Sequence, residues 1–148
     1  MAQVIIAIGS NLGNPHSQLL EAALFLDQIS DSPAIKSPIY ESEPVGPSES
    51  KFLNAIIGIE SGLSPKDLLL RLKEQERRQG RPSRYPKWTA RTLDLDIIGY
   101  GKEILKEDKL IIPHPEYTRR LFVLLPLADV LPNWKDPETN ASISALIQ

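Results

Sequence analysis

The chain contains no cysteine. That excludes disulfides, Cys-ligated zinc, iron–sulfur clusters and thiol catalysis. It has only two histidines, His16 and His114, too few for a multi-His metal centre. No stretch approaches the roughly eighteen apolar residues that would suggest a membrane span. The opening Met1-Ala2-Gln3-Val4-Ile5-Ile6-Ala7 lacks a charged segment ahead of a long apolar run. No signal peptide is expected, and a cytoplasmic protein is. The formal net charge is only −2, so any attraction for anions must be local. Three glycine-rich signatures are also missing: the P-loop, the Rossmann turn and the serine-hydrolase elbow. Phosphates, if bound, are not held by either nucleotide loop, and no hydrolase nucleophile is signalled.

What is present fits one globular domain spanning residues 1–148. The apolar fraction is 41% and the charged fraction 24%, ordinary values for a soluble protein with a real core. Proline is in excess, 13 of 148 residues or about 9% against a typical ~5%. Many prolines fall in the expected loops, which suggests loops of defined shape.

Periodicity gives the element order. Val4 to Ile8 reads as a buried strand, and Asn14-Pro15 as the cap and first turn of a helix running to about Ile29. A strand is expected over about 35–42, a loop over 43–51 and a strand over 52–60. Ser64-Pro65-Lys66-Asp67 caps a second helix with Leu68, Leu69 and Leu72 on its apolar stripe, ending at Gly80. A long loop over 80–92 precedes another strand. Short strands follow near Ile104 and Leu110, then an apolar helix from Phe122 to Leu131 and a short one from Ile143 to Ile147. The order βαββαβ predicts an α+β sandwich with a ferredoxin-like core, a mainly antiparallel sheet with helices packed on it.

The most informative stretch is Arg91-Thr92-Leu93-Asp94-Leu95-Asp96-Ile97-Ile98. Its alternation is that of a strand with unlike faces: Leu93, Leu95 and Ile97 on one, Asp94 and Asp96 on the other, about 6–7 Å apart. Asp is a poor strand former and like charges repel, so something cationic is expected against the pair. Two divalent metal ions fit, because two-metal sites hold their ions about 3.5–4 Å apart. A densely basic segment leads into this strand: Arg71, Lys73, Arg77, Arg78, Arg81, Arg84, Lys87 and Arg91. Metal on one side and arginine on the other make a clamp for polyphosphate, and phosphoryl transfer needs mainly such positioning and neutralisation. Arg77 and Arg78 taken singly read as a solvated helix end. Trp88 reads either as a packing anchor or as a lid over a planar ligand. Pro113-His114-Pro115, with Arg119 and Arg120 beyond, reads as a rigid phosphate-binding segment or as plain structure.

Taken together, these residues resemble the 6-hydroxymethyl-7,8-dihydropterin pyrophosphokinase family. The resemblance is carried by Ala7 to Gly13, Tyr40 to Gly46, Phe52-Leu53-Asn54, Glu76 to Arg81, Arg91 to Asp96, Ile112 to Pro115, and Arg120 to Pro126. It implies transfer of pyrophosphate from ATP to the pterin hydroxymethyl group with release of AMP, in folate biosynthesis. It also implies two magnesium ions on Asp94 and Asp96, and a phosphate clamp of Arg81 and Arg91. By the same resemblance, Lys73, Glu76, Lys87, Trp88, Ile97, Lys109, His114 and Arg120 match the ATP side. Ser42, Glu43, Val45, Phe52, Asn54 and Phe122 match the pterin side, with the pterin between the two phenylalanines. Such an enzyme acts on small molecules as a monomer, without nucleic acid or membrane. Departures are Thr89 where Gly or Ala is usual, Ser42 for Thr, and Ser83, Lys87 and Lys109 where some members carry Arg, which loses fork geometry. The competing expectations are a ferredoxin-like binding module for RNA or a regulatory ligand, against which the Asp pair argues because it would repel phosphate without metal, and a metal-dependent nuclease or hydrolase using the same Asp pair.

Overall fold

Strand β1, Ala2–Ser10, is apolar on both faces because sheet neighbours flank it and layers cover it above and below. The computed structural model of the chain describes residues 1–11, 14–43, 51–79 and 93–147. Within these, helix α1 (Pro15–Ile29) starts where Asn14 Oδ1 accepts the Ser17 N–H at 3.2 Å and Pro15 supplies a first position that needs no donor. Helix α2 (Pro65–Arg78) begins in the same way, with Ser64 Oγ accepting from Asp67 N at 3.2 Å.

The remaining strands are β2 (Ile35–Lys36), β3 (Tyr40–Ser42), β4 (Phe52–Ser61) and β5 (Asp94–Tyr100). The sheet order is β2-β4-β1-β5, and β3 also pairs with β4. All pairings are antiparallel. This is the ferredoxin-like arrangement. The strand expected over 35–42 is split in two. Pro38 brings no N–H, and at the break Ser37 Oγ accepts the Ile56 N–H at 2.8 Å in place of a backbone carbonyl.

The two sheet faces carry separate cores. On one, Val4, Ile6, Ile8, Leu95 and Ile97 pack against Leu19 and Leu26 of α1 and Leu68 and Leu72 of α2. On the other, Ile5, Ile56 and Ile98 pack under helix α3 (Leu121–Val130) and the short α4 (Ile143–Ile147). Alternation along β5 places Ile97 on the α1–α2 side and Ile98 on the α3 side; the register between β1 and β5 then shifts between Ile5 and Ile6, a bulge that returns Tyr100 to the α1–α2 core. The Trp134 ring lies on Gly99, where a Cβ would stand 2.7 Å from Cη2. A separate hairpin, β6 (Leu105–Glu107) with β7 (Leu110–Ile112), sits beside β5, and its Glu107 pairs with Lys66 of α2 at 3.1 Å. Among the described residues, no helix is long and apolar enough to cross a membrane.

Candidate active site

β5 alternates as its sequence requires. Leu93, Leu95 and Ile97 are buried toward α1 and α2, while Asp94 and Asp96 are half-buried on the α3 side. Register then builds a row across the sheet: Asp94 opposite Gly9, Gly9 opposite Asn54, and Asn54 opposite Tyr40. The next row runs Asp96, Ala7, Ile56. Because the centres of both rows are Gly and Ala, a hollow remains above β1 between the carboxylates and the β4 side chains. α3 covers the rest of this face but stops short of the hollow.

The result is a cavity of about 380 Å³. Asp94, Asp96, His114 and Arg120 line one side, Ser42, Glu43, Phe52 and Asn54 another, and Phe122 and Tyr117 the α3 side. Asn54 is buried, and its Nδ2 donates to Ser42 Oγ at 2.8 Å and to the Tyr40 carbonyl at 3.4 Å. The Arg120 guanidinium stands 5.8 Å from the Phe122 ring centroid, a cation–π distance. A second cavity of about 250 Å³ opens on the other side of Asp96. Lys73, Ile97, Asp108, Lys109 and Pro115 contribute to it, and Asp96 and His114 line both cavities.

His114 is held in place from both ends. Its N–H donates to the carbonyl of bulged Ile98 at 2.9 Å, and its Nδ1 accepts the Glu116 N–H at 3.1 Å. In the neutral ring the proton is therefore on Nε2. Burial pushes the imidazole below its ordinary value, and Arg120 adds to this, against the pull of Asp96 and Glu116. At neutral pH His114 offers an uncharged Nε2–H donor where the cavities meet.

Glu76 is turned inward from α2, 2% exposed. Its Oε2 accepts the Leu95 N–H at 2.7 Å, and its Oε1 lies 3.4 Å from Lys73 Nζ. It thus grips the peptide between the two aspartates, and it lines neither cavity.

A sequence model of the family described as 7,8-dihydro-6-hydroxymethylpterin-pyrophosphokinase (HPPK) matches residues 5–132. The chain belongs to this family. It is 42% identical over 140 residues to the 2-amino-4-hydroxy-6-hydroxymethyldihydropteridine pyrophosphokinase of Haemophilus influenzae, covering 90% of this chain and 87% of the relative. The Bacillus subtilis enzyme of the same name is 38% identical over 138 residues, 92% of this chain and 82% of the relative. A folate synthesis bifunctional protein of Arabidopsis thaliana is 42% identical over 130 residues, 87% of this chain but 27% of the relative. The crystal structure of Plasmodium falciparum HPPK-DHPS with SDX-DHP superposes with a TM-score of 0.73 at 16% identity. That superposition covers 99% of this chain and 43% of the larger one, and it supports the fold.

Against this HPPK background, the residues expected on the two sides fall on the two cavities with exceptions: Arg120, expected on the nucleotide side, lines only the first cavity, and Glu76 lines neither. Ser42, Glu43, Phe52, Asn54 and Phe122 lie on the first cavity, and Lys73, Ile97 and Lys109 on the second. His114 lies on both. Arg81, Arg91, Lys87, Trp88, Val45, Ser83 and Thr89 lie outside the described residues. Arg78 pairs with Glu74 at 3.0 Å and Arg71 lies over Phe25, so these two belong to the helix surface. The sequence reading missed Tyr117, Gly9 and Ala7 as cavity residues. It also missed the inward turn of Glu76, although Leu68, Leu72 and Glu76 form an i, i+4, i+8 stripe that marks the buried face of α2.

Proposed function

We propose that residues 1–148 form one pyrophosphokinase domain that transfers pyrophosphate from ATP to the hydroxymethyl group of 6-hydroxymethyl-7,8-dihydropterin. The products are the pterin diphosphate and AMP, and the step belongs to folate biosynthesis. The observation that carries this reading is the meeting of two unlike cavities at Asp96 and His114. One is walled by Phe52, Phe122 and Tyr117 with a buried amide, suited to a flat heterocycle with a polar edge. The other is flanked by Lys73 and Lys109, suited to a nucleotide. α3 covers the sheet face that an RNA module would leave open, which favours a small-molecule enzyme. The domain acts as a cytoplasmic monomer without nucleic acid or membrane.

The carboxylates of Asp94 and Asp96 fit magnesium, a hard cation that takes one or two carboxylates and completes its shell with water and phosphate oxygens. Two magnesium ions held by these carboxylates would supply charge neutralisation and alignment for the polyphosphate. The chain's own residues do the rest. Phe52 and Phe122 stack the pterin, Asn54 and the Ser42–Val45 segment fix its edge, and Glu76 holds the Asp-bearing peptide rigid. Lys73, Lys109, His114 and Arg120 bind the nucleotide, with Ile97 against its base, while Lys87 and Trp88 complete that side and Arg81 and Arg91 clamp the phosphates. The pterin alcohol oxygen bonds to the β-phosphorus and loses its proton. The bond from the β-phosphorus to the oxygen it shares with the α-phosphorus breaks, that oxygen keeps the electron pair, and AMP leaves.

Products test this directly. With ATP, magnesium and the hydroxymethyl dihydropterin, AMP and pterin diphosphate should form in equal amounts. Neither should form when the pterin or the metal is omitted. ADP as the main product, or AMP without pterin, would replace this reading with a kinase or a hydrolase.

A further inference from the structure

We propose that Tyr40 and Asp129 are positioning residues that set the separation of Phe52 and Phe122 in the first cavity. The Tyr40 hydroxyl donates to Asp129 Oδ2, joining edge strand β3 to the last turn of α3. Each end of this bond is in step with one wall of the aromatic slot. On α3, Asp129 lies seven residues after Phe122, two helical turns along the same face. On the sheet, Tyr40 is opposite Asn54 and Ser42 is opposite Phe52, so Tyr40 stands one side-chain step behind the Phe52 wall. The bond therefore ties the helix bearing one ring to the strand pair bearing the other.

α3 also packs on β4 and α4, and β3 is paired with β4. The N-terminus of α3 has no side-chain cap, and β3 is three residues long on the edge of the sheet. The core beneath α3 fixes its height above the sheet through Val123, Leu124 and Leu127. Those contacts are apolar and non-directional. The bond to the carboxylate adds a directed tie between α3 and β3. The bond to Asp129, together with burial, pushes the Tyr40 phenol above its ordinary value, so the hydroxyl remains a donor across neutral pH.

The inference rests on the pterin reading of this cavity. The test is steady-state kinetics on the full chain with each substrate varied in turn, for wild type, Tyr40→Phe, Asp129→Ala and the double variant. Tyr40→Phe keeps the ring and removes only the donor. Each single variant should raise the pterin KM about three- to tenfold, the net scale of one hydrogen bond, and the double variant no further. The ATP KM and kcat should stay within about twofold, because the second cavity does not touch β3. In a Phe122→Ala background, Tyr40→Phe should no longer move the pterin KM, since one wall of the slot is gone. A joint rise of both KM values, multiplying effects with Phe122→Ala, or a pterin KM that does not move would overturn the proposal. If the wild-type chain makes no pterin diphosphate, the cavity reading fails instead. An active wild type with unmoved variants refutes only the positioning.

Discussion

Gly9 is the position where one methyl group tests the site most economically. It sits at the centre of the row Asp94–Gly9–Asn54, and it lines the first cavity. In Gly9→Ala the new Cβ would stand 3.1 Å from Asn54 Oδ1, 3.7 Å from the Leu53 carbonyl oxygen and 3.9 Å from Phe52 Cδ1. The first contact is too close, so Asn54 must give by a few tenths of an ångström. It cannot do so freely, because Nδ2 is held by Ser42 Oγ at 2.8 Å and by the Tyr40 carbonyl at 3.4 Å. An extra methyl in a packed site costs about 1–3 kcal/mol. In a domain of this size about 1 kcal/mol lowers Tm by roughly 3–5 °C. The displaced amide and the filled hollow should weaken pterin binding by about tenfold or more, since about 1.4 kcal/mol is one factor of ten. The ATP KM should hold, because the second cavity does not include Gly9. Thermal unfolding and kinetics with each substrate varied measure both effects. A normal pterin KM at normal Tm would show that the space above Gly9 is not used. An equal rise in both KM values would place the damage at Asp94 instead.

Two other consequences can be checked independently. Arg81→Ala and Arg91→Ala should each lower turnover by about a hundredfold or more, the scale of one transition-state charge contact, whereas exposed Arg77→Ala should do little; if all three behaved alike, the basic segment would be a diffuse field and not a placed clamp. Although burial opposes it, bonds from the Tyr117 hydroxyl and from the Glu138 and Thr139 N–H groups hold the Asp136 carboxyl below its ordinary value. A depressed carboxylate adds stability that is complete above its unfolded value near about 4 and is lost as pH falls through the folded one. The Tm gap between wild type and Asp136→Asn should therefore be widest above about pH 4 and close on acidification, and a gap constant with pH would refute the assignment.

The parts of the fold that were legible in the sequence are those where local chemistry and periodicity agree. Asn14-Pro15 and Ser64-Pro65 start α1 and α2 where their caps predict, and the Leu-Asp alternation of 93–97 sorts onto two faces as read. The strand expected over 35–42 was broken because Pro38 interrupts the ladder and Ser37 substitutes a side-chain acceptor. That outcome depends on β4 lying alongside. The bulge at Ile98 was not legible for a similar reason: it arises from the β1–β5 register and becomes useful only because the Ile98 carbonyl then receives the His114 N–H. Within the site, Asp94, Asp96 and His114 stood out by residue type and neighbours. Gly9 and Ala7 did not, because their contribution is the space they leave between side chains from three strands. Tyr40 and Asp129 are 89 positions apart, and no local pattern announces their bond.

The measurement closest to the central claim is turnover in Asp94→Asn and Asp96→Asn, read beside pterin binding and Tm. Each change keeps the side-chain size and removes one carboxylate from the wall of the first cavity. The predicted result is a normally folded chain with Tm near or above wild type, because a like-charge pair has been relieved. Pterin binding should be retained and magnesium-dependent turnover lost. Near-normal turnover in either variant would contradict the account, since the carboxylate pair would then not be needed for phosphate transfer.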